Sequence, residues 1–324
     1  MHHLVIGEGQ IGRAIIEHAL ADGDQVTVLR RRDAAPEPPL RRVRGDVQDP
    51  AALSAALEGV DAIHACFHAP YDARIWRRDL PPRELAVLDA AARRGIPVVF
   101  PESMYGFQGA ARRLSEGSAY SPQDAKGEVR VALMEQRRRH PARTLSIVAA
   151  DLLGPTAVGT GAAVVCTLLI ERMVAGTRPI VFGDPAAPHV LTFIPDLAVA
   201  MLHAARHAER LAGPAGDAVL HAPSAPARSQ AELIAATAAQ LGTPARRALR
   251  IPRTALRAAA PISTFARELA GISGLWYAPC TLEPGILADQ EGLRPTSWED
   301  ALRRTVSAAV APAGAEAGTV PAAR

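Results

Sequence analysis

The stretch His2-His3-Leu4-Val5-Ile6-Gly7-Glu8-Gly9-Gln10-Ile11-Gly12 decides the fold. An apolar run of strand length meets three glycines at GxGxxG spacing and passes into an amphipathic run. Gly7 permits the tight turn, Gly9 lets the backbone approach a pyrophosphate, and Gly12 lets the helix pack on the strand. The helix N-terminus then faces negative charge. A glycine pattern is a weak signal alone; strand before and helix after are what give it content. Gly7, Gly9, Gln10, Ile11 and Gly12 are the first cofactor-binding candidates.

Outward from this turn, short β-rich runs alternate with amphipathic stretches. Strands are predicted at Leu4–Ile6, Gln25–Leu29, Leu40–Arg44, Ala62–Ala65, Pro97–Phe100 and Thr144–Ala149, with helices beginning near Ile11, Pro50, Pro82 and Gln123. That order is α/β, a Rossmann-like doubly wound parallel sheet. Beyond Asp151 the order changes. A helical stretch at 163–175, a strand Pro179–Phe182, a helix opened by Pro195-Asp196, a strand Ala218–His221 and a Ser229/Glu232 capping box predict a smaller C-terminal substrate lobe. The expected division is 1–155 for the nucleotide-binding domain, with elements near 190–222 returning to it, and 156–310 for the interleaved lobe. Residues 311–324, rich in Ala, Gly and Pro, read as a disordered tail.

With 324 residues and 48% hydrophobic content, the chain can bury a large core. No apolar run reaches the roughly 18 residues that span a bilayer, and no leader precedes the first strand, so a cytoplasmic protein is expected. Cys66, Cys166 and Cys280 form no CxxC pattern, which predicts neither a disulfide framework nor a metal site. A formal charge of +3 with acids and bases intermixed argues against nucleic acid. A small-molecule substrate is expected, no membrane, and a homodimer is left open. The 36 basic residues comprise 35 Arg and one lysine, Lys126.

The second strand ends in Leu29-Arg30-Arg31-Arg32, where an NAD site would place an acidic residue for the ribose hydroxyls. A basic residue there can neutralise an adenosine 2′-phosphate, so Arg30 and Arg31 favour NADP(H) over NAD(H). Asp33, close by, keeps a solvated basic loop as the other reading. Asp46, in Gly45-Asp46-Val47, is placed either to meet the adenine amino group or to make an ordinary turn. Val47 and Ala65, after the third strand and at the end of the fourth, complete the cofactor set.

The glycine motif, Gly45-Asp46, Val60-Asp61-Ala62-Ile63-His64-Ala65, Tyr105-Gly106 and Pro195-Asp196-Leu197-Ala198 occur in the order and spacing of a known superfamily. The chain resembles the extended short-chain dehydrogenase/reductases, the NAD-dependent epimerase/dehydratase group, over about residues 1–310. The resemblance implies an active site in the cleft between nucleotide domain and lobe, with a YxxxK pair passing the substrate proton. No YxxxK exists: Ile75, Gly109, Asp124 and Thr281 stand four residues after the four tyrosines. In Ser121-Pro122-Gln123-Asp124-Ala125-Lys126-Gly127-Glu128-Val129-Arg130, Lys126 falls on the tyrosine and Arg130 on the lysine; a second register keeps Lys126 as the lysine and puts Pro122 at the tyrosine. Pro101 occupies the helper-hydroxyl position, with Ser103 near enough to substitute. The likeness is therefore to the atypical branch.

Lys126, Arg130, Tyr105 and Ser103 are the catalytic candidates. Lys126 and Arg130 lie four apart, on one helix face, where a desolvated ammonium beside a guanidinium would have a lowered pKa. His68, His189 and Thr192 are candidate substrate ligands, and His64 flanks the same strand end as His68. Asp196 reads as a helix N-cap, and Trp276-Tyr277 either walls the pocket or fills core. Two functions follow: an NADP(H)-binding oxidoreductase or epimerase-like enzyme acting on a small polar or carbonyl substrate, or an inactive regulator sensing NADP redox state.

Overall fold

The computed structural model describes residues 1–33 and 37–311; the tail expected at 311–324 lies outside them from residue 312 on. The nucleotide-binding half runs β1 (His2–Ile6), α1 (Gln10–Ala21), β2 (Gln25–Arg30), β3 (Arg41–Arg44), α2 (Pro50–Ala56), β4 (Ala62–Ala65), α3 (Ala73–Arg94), β5 (Val98–Ser103), α4 (Ala125–Arg139) and β6 (Thr144–Ala149). The remainder runs β7 (Asp151–Leu153), α5 (Glu171–Val174), β8 (Ile180–Phe182), β9 (Pro188–His189), β10 (Leu191–Phe193), α6 (Ile194–Arg206), α7 (Ala208–Ala212), β11 (Asp217–His221) and β12 (Arg228–Ser229). It closes with α8 (Gln230–Gln240), β13 (Leu249–Ile251), α9 (Arg253–Ala259), α10 (Thr264–Gly271), α11 (Ser273–Trp276), α12 (Ile286–Asp289) and α13 (Trp298–Val310).

Seven strands form one parallel sheet in the order β11-β6-β5-β4-β1-β2-β3. Successive residues on each strand point to opposite faces, so a sheet covered on both sides must be apolar at every position. The central strands follow this at most positions, with His3, His64 and Glu102 as buried polar exceptions that meet partners. Val5, Ala62 and Val99 pack into one core with α1 and α6, while Leu4, Ile6, Ile63, Val98 and Phe100 pack into the other with α2 and α3. The chain reverses its order between β1 and β4, and all seven strands end their carboxyl termini on one edge, where ligands of open α/β sheets bind.

Two helices start or wind differently from expectation. The third begins at Ala73 and not near Pro82, because Asp72 caps it by accepting from the Arg74 amide at 2.8 Å, and Pro81 and Pro82 lie inside. The stretch expected at 163–175 winds as a π turn over Cys166–Ile170 before α5. Asp196 is not an N-cap: it sits in the first turn of α6 and accepts from the amide and hydroxyl of Thr296, each at 2.7 Å. The Ser229/Glu232 capping box forms as read. β11 returns to the main sheet, and β7 with β10, β8 with β13 and β9 with β12 make the small paired strands of the second half. No helix of the described residues is long and apolar enough to cross a membrane.

Candidate active site

Gly7 adopts φ +97°, and a Cβ there would lie 3.0 Å from the Cys66 carbonyl oxygen, so the turn can abut the end of β4 only as glycine. A Cβ on Gly12 would sit 2.0 Å from the Gly7 oxygen. Gly9 differs: a Cβ would meet nothing within 4 Å, and as N-cap of α1 it offers no side chain to the first-turn amides. Uncapped amide donors facing open space are what a pyrophosphate needs. Gln10 and Ile11 continue the turn into α1, Val47 and Ala65 pack in the same core as Ile6, and the buried Gln10 Oε1 has no partner. The residues present fit a dinucleotide.

Arg30 closes β2 beside the turn, with the Gly7 amide donating to the Leu29 carbonyl at 3.0 Å. Its guanidinium is already ion-paired, to Glu8. Arg31 is exposed. Asp46 makes the ordinary turn, accepting from the Gln48 amide at 3.0 Å.

The dyad positions behave unlike the expectation. Lys126 and Arg130 share a helix face, yet each is occupied by its own carboxylate. Lys126, 1% exposed, donates to the Glu268 carboxylate at 2.9 Å and to the Glu268 carbonyl, with Asp124 at 3.6 Å. Arg130 makes a bidentate pair with Glu102. Glu102 is shared with Arg137, which also holds Glu84 at 2.6 Å. Burial pushes the Glu102 carboxyl up, but Arg130 and Arg137 outweigh it and hold it below the usual range. Lys126 and Arg130 thus each meet a carboxylate, which was not foreseen, and Arg130 cross-links α4 to β5.

What the packing does bring together is a pair of tyrosines. Tyr105, two residues past the end of β5, places its hydroxyl 3.3 Å from that of Tyr71, in the loop between β4 and α3. The Lys126 ammonium lies 4.6 Å from the centre of the Tyr71 ring. Trp76 stacks on Tyr105, and the His68 ring meets Trp76 edge-on at 4.6 Å. Gly127 makes this close packing possible, since a Cβ would fall 2.4 Å from the Tyr105 carbonyl oxygen. Burial pushes the Tyr105 hydroxyl up to about 12 while its Tyr71 hydrogen bond pulls the other way. Ser103 stands two residues earlier, its hydroxyl 3.5 Å from Glu102.

The lobe contributes less open chemistry than expected. Thr192 is buried, its hydroxyl accepting from the Ala150 amide at 2.9 Å and paired with Ser224 at 2.8 Å. His189 is stacked on Trp276 at 4.1 Å with neither ring nitrogen hydrogen-bonded, and burial pushes it down to about 4. Trp276 is core; Tyr277 donates to the Ile251 carbonyl at 2.8 Å. His64 is buried against His3 at 3.1 Å, below the sheet's carboxyl edge. Asp151, the first residue of β7, forms no ion pair among the described residues and is pushed up to about 6 by burial. Tyr71, Glu268 and Asp151 were not singled out from sequence. No group of three or more His, Cys, Asp or Glu among the described residues could hold a metal.

The sequence model of the NAD(P)H-binding family matches residues 7–130. No curated protein matches the chain by sequence. Solved structures share its fold over nearly its whole length. MoeE5 in complex with UDP-glucuronic acid and NAD superposes with a TM-score of 0.75 at 18% identity, covering 95% of this chain and 98% of that one. The UDP-glucose 4-epimerase of Thermotoga maritima, with UDP-glucose, gives 0.72 at 16%, covering 95% and 98%. The dTDP-glucose 4,6-dehydratase of Bacillus anthracis, in complex with NAD, gives 0.73 at 13%, covering 95% and 96%. The chain therefore shares the fold of these three proteins.

Proposed function

We propose that this chain is an NAD(P)(H)-dependent oxidoreductase or epimerase-like enzyme for a small carbonyl or polar substrate, in which the Tyr105–Tyr71 pair takes the place of the missing YxxxK tyrosine. The observation that carries the reading is the 3.3 Å contact between the two hydroxyls at the carboxyl edge of the sheet, between β5 and the loop after β4. The bound nicotinamide would supply or accept the hydride. Gly7, Gly9, Gln10, Ile11 and Gly12 would hold the pyrophosphate, with Val47 and Ala65 beside it. Arg30 at the end of β2 and Arg42 within β3 support NADP(H) over NAD(H) through the 2′-phosphate.

Desolvation pushes the half-buried Tyr105 phenol up to about 12, so it stays protonated at neutral pH, which suits it to donate its proton as a substrate oxygen gains charge. The Tyr71 hydroxyl is placed to donate in turn to the Tyr105 oxygen, and the ammonium of Lys126 on the Tyr71 ring face favours that shift of negative charge. Lys126 thus acts through the tyrosine pair, positioned by Glu268 from the lobe. Because Lys126, Arg130 and Arg137 are each neutralised by carboxylates, these positions offer no spare cation to a diphosphate, which favours an uncharged carbonyl compound over a nucleotide sugar.

The test is NADPH oxidation against a panel of aldehydes and ketones. Tyr105→Phe should lower turnover on the order of 10²–10⁴-fold while NADPH still binds. Parental turnover in Tyr105→Phe would remove the tyrosine from the mechanism.

A further inference from the structure

Glu8, the second residue of the glycine turn, reaches toward the end of β2 and not into solvent. Its two carboxylate oxygens are divided between two guanidiniums: Oε2 accepts from Arg30 Nη1, and Oε1 accepts from Arg42 Nη2 at 2.9 Å. The three side chains are 13%, 27% and 14% exposed, so the pairing is shielded from water. Arg42 reaches a second acid, Glu37, at 2.6 Å. The backbone fixes this meeting: β2 and β3 pair in register with Arg30 opposite Arg44, and the Gly45 amide donates to the Arg30 carbonyl at 2.9 Å. Burial raises the Glu8 carboxyl, but Arg42 and Arg30 outweigh it, and the group is held below the usual carboxylate range, ionised at neutral pH.

We propose that Glu8 sets the choice between the two cofactors: its carboxylate is an internal anion seated between Arg30 and Arg42, where a 2′-phosphate would meet them, and the phosphate must displace it to bind. This rests on the reading that Arg30 receives the 2′-phosphate. A guanidinium satisfied by a carboxylate gains little from exchanging one anion for another, and the displaced carboxylate is left beside a phosphate of like charge. The ribose hydroxyl of NAD(H) meets no such conflict, since it can donate to the same carboxylate. Glu8 therefore narrows the preference for NADP(H) that Arg30 and Arg42 alone would give.

The experiment measures dissociation constants for NADPH and NADH by nucleotide fluorescence at low salt, in the parent, Glu8→Gln, Glu8→Ala and Arg30→Ala proteins, with thermal melts confirming that each is folded. Neutralising Glu8 takes the carboxylate away from Arg30 and leaves Arg42 with Glu37, so the ratio of the NADH to the NADPH constant should rise about tenfold or more in Glu8→Gln and Glu8→Ala, the scale of one charge-assisted contact. Arg30→Ala should lower it. An unchanged ratio in both Glu8 variants, with Arg30→Ala still lowering it, overturns the role of Glu8 alone. If Arg30→Ala leaves the ratio unmoved, the phosphate reading falls and the proposal with it.

Discussion

Lys126 and Arg130 sit four residues apart on α4, and spacing alone set them side by side; what spacing could not show was the acid each would meet. Glu102 lies on the strand beneath, Glu268 on a helix 142 residues further along the chain, and both reach their partners only through tertiary packing. The scarcity of lysine did point to a special position, since Lys126 is buried. Glu102 is the more exacting case, because one carboxylate serves two buried guanidiniums. Glu102→Gln should leave Arg130 without a carboxylate, while Arg137 keeps Glu84, and destabilise the fold by about 3–5 kcal/mol, read by chemical denaturation. A loss below about 1 kcal/mol would show that the network relaxes around neutral partners.

At the scale of elements, the nucleotide-binding half was largely legible. The strands expected at Ala62–Ala65 and Thr144–Ala149 form with those bounds, and α2 begins at Pro50, capped by Asp49, because their apolar runs are bounded by clear turn and cap residues. The start of α3 was misread because Pro82 resembles an N-terminal proline, whereas the cap lies earlier at Asp72. That error hid the loop carrying Tyr71. The helices α9 to α11 went unassigned because they are short, with 7, 8 and 4 residues, and with them went Glu268. The site was thus half visible: the glycine turn, Tyr105 and Lys126 are local signals, while the tyrosine pair and the lobe contact join segments whose proximity no local pattern encodes.

For the molecule as a whole, burial of uncharged histidines couples stability to pH. His3, His64 and His189 all have pKa values lowered chiefly by burial. Below the unfolded value of about 6.5 the unfolded chain takes up protons that the native chain refuses, so stability is full above that pH and falls as pH drops toward the native values. For His189, pushed down to about 4, the loss is on the order of 3 kcal/mol. Asp151 has the opposite sign: raised to about 6, it costs stability as pH rises from 3.8 through 6. Asp196 and Asp217 are raised as Asp151 is, but His68, His207 and His221 are lowered too, and six histidines outweigh three carboxyls, so the melting temperature should fall steadily from pH 6.5 to 4.5. A flat or rising profile would contradict the burial of neutral imidazoles.

The central claim, that the glycine turn receives a dinucleotide, is tested most directly by calorimetric titration of NADPH and NADH into the parent and a Gly9→Val protein. Gly9 has φ −86° and open space where a side chain would project, so valine should fold as glycine does while filling the place the pyrophosphate must approach. The parent should bind and a normally melting Gly9→Val should not; equal binding of either nucleotide by both proteins would rule out a dinucleotide at this turn.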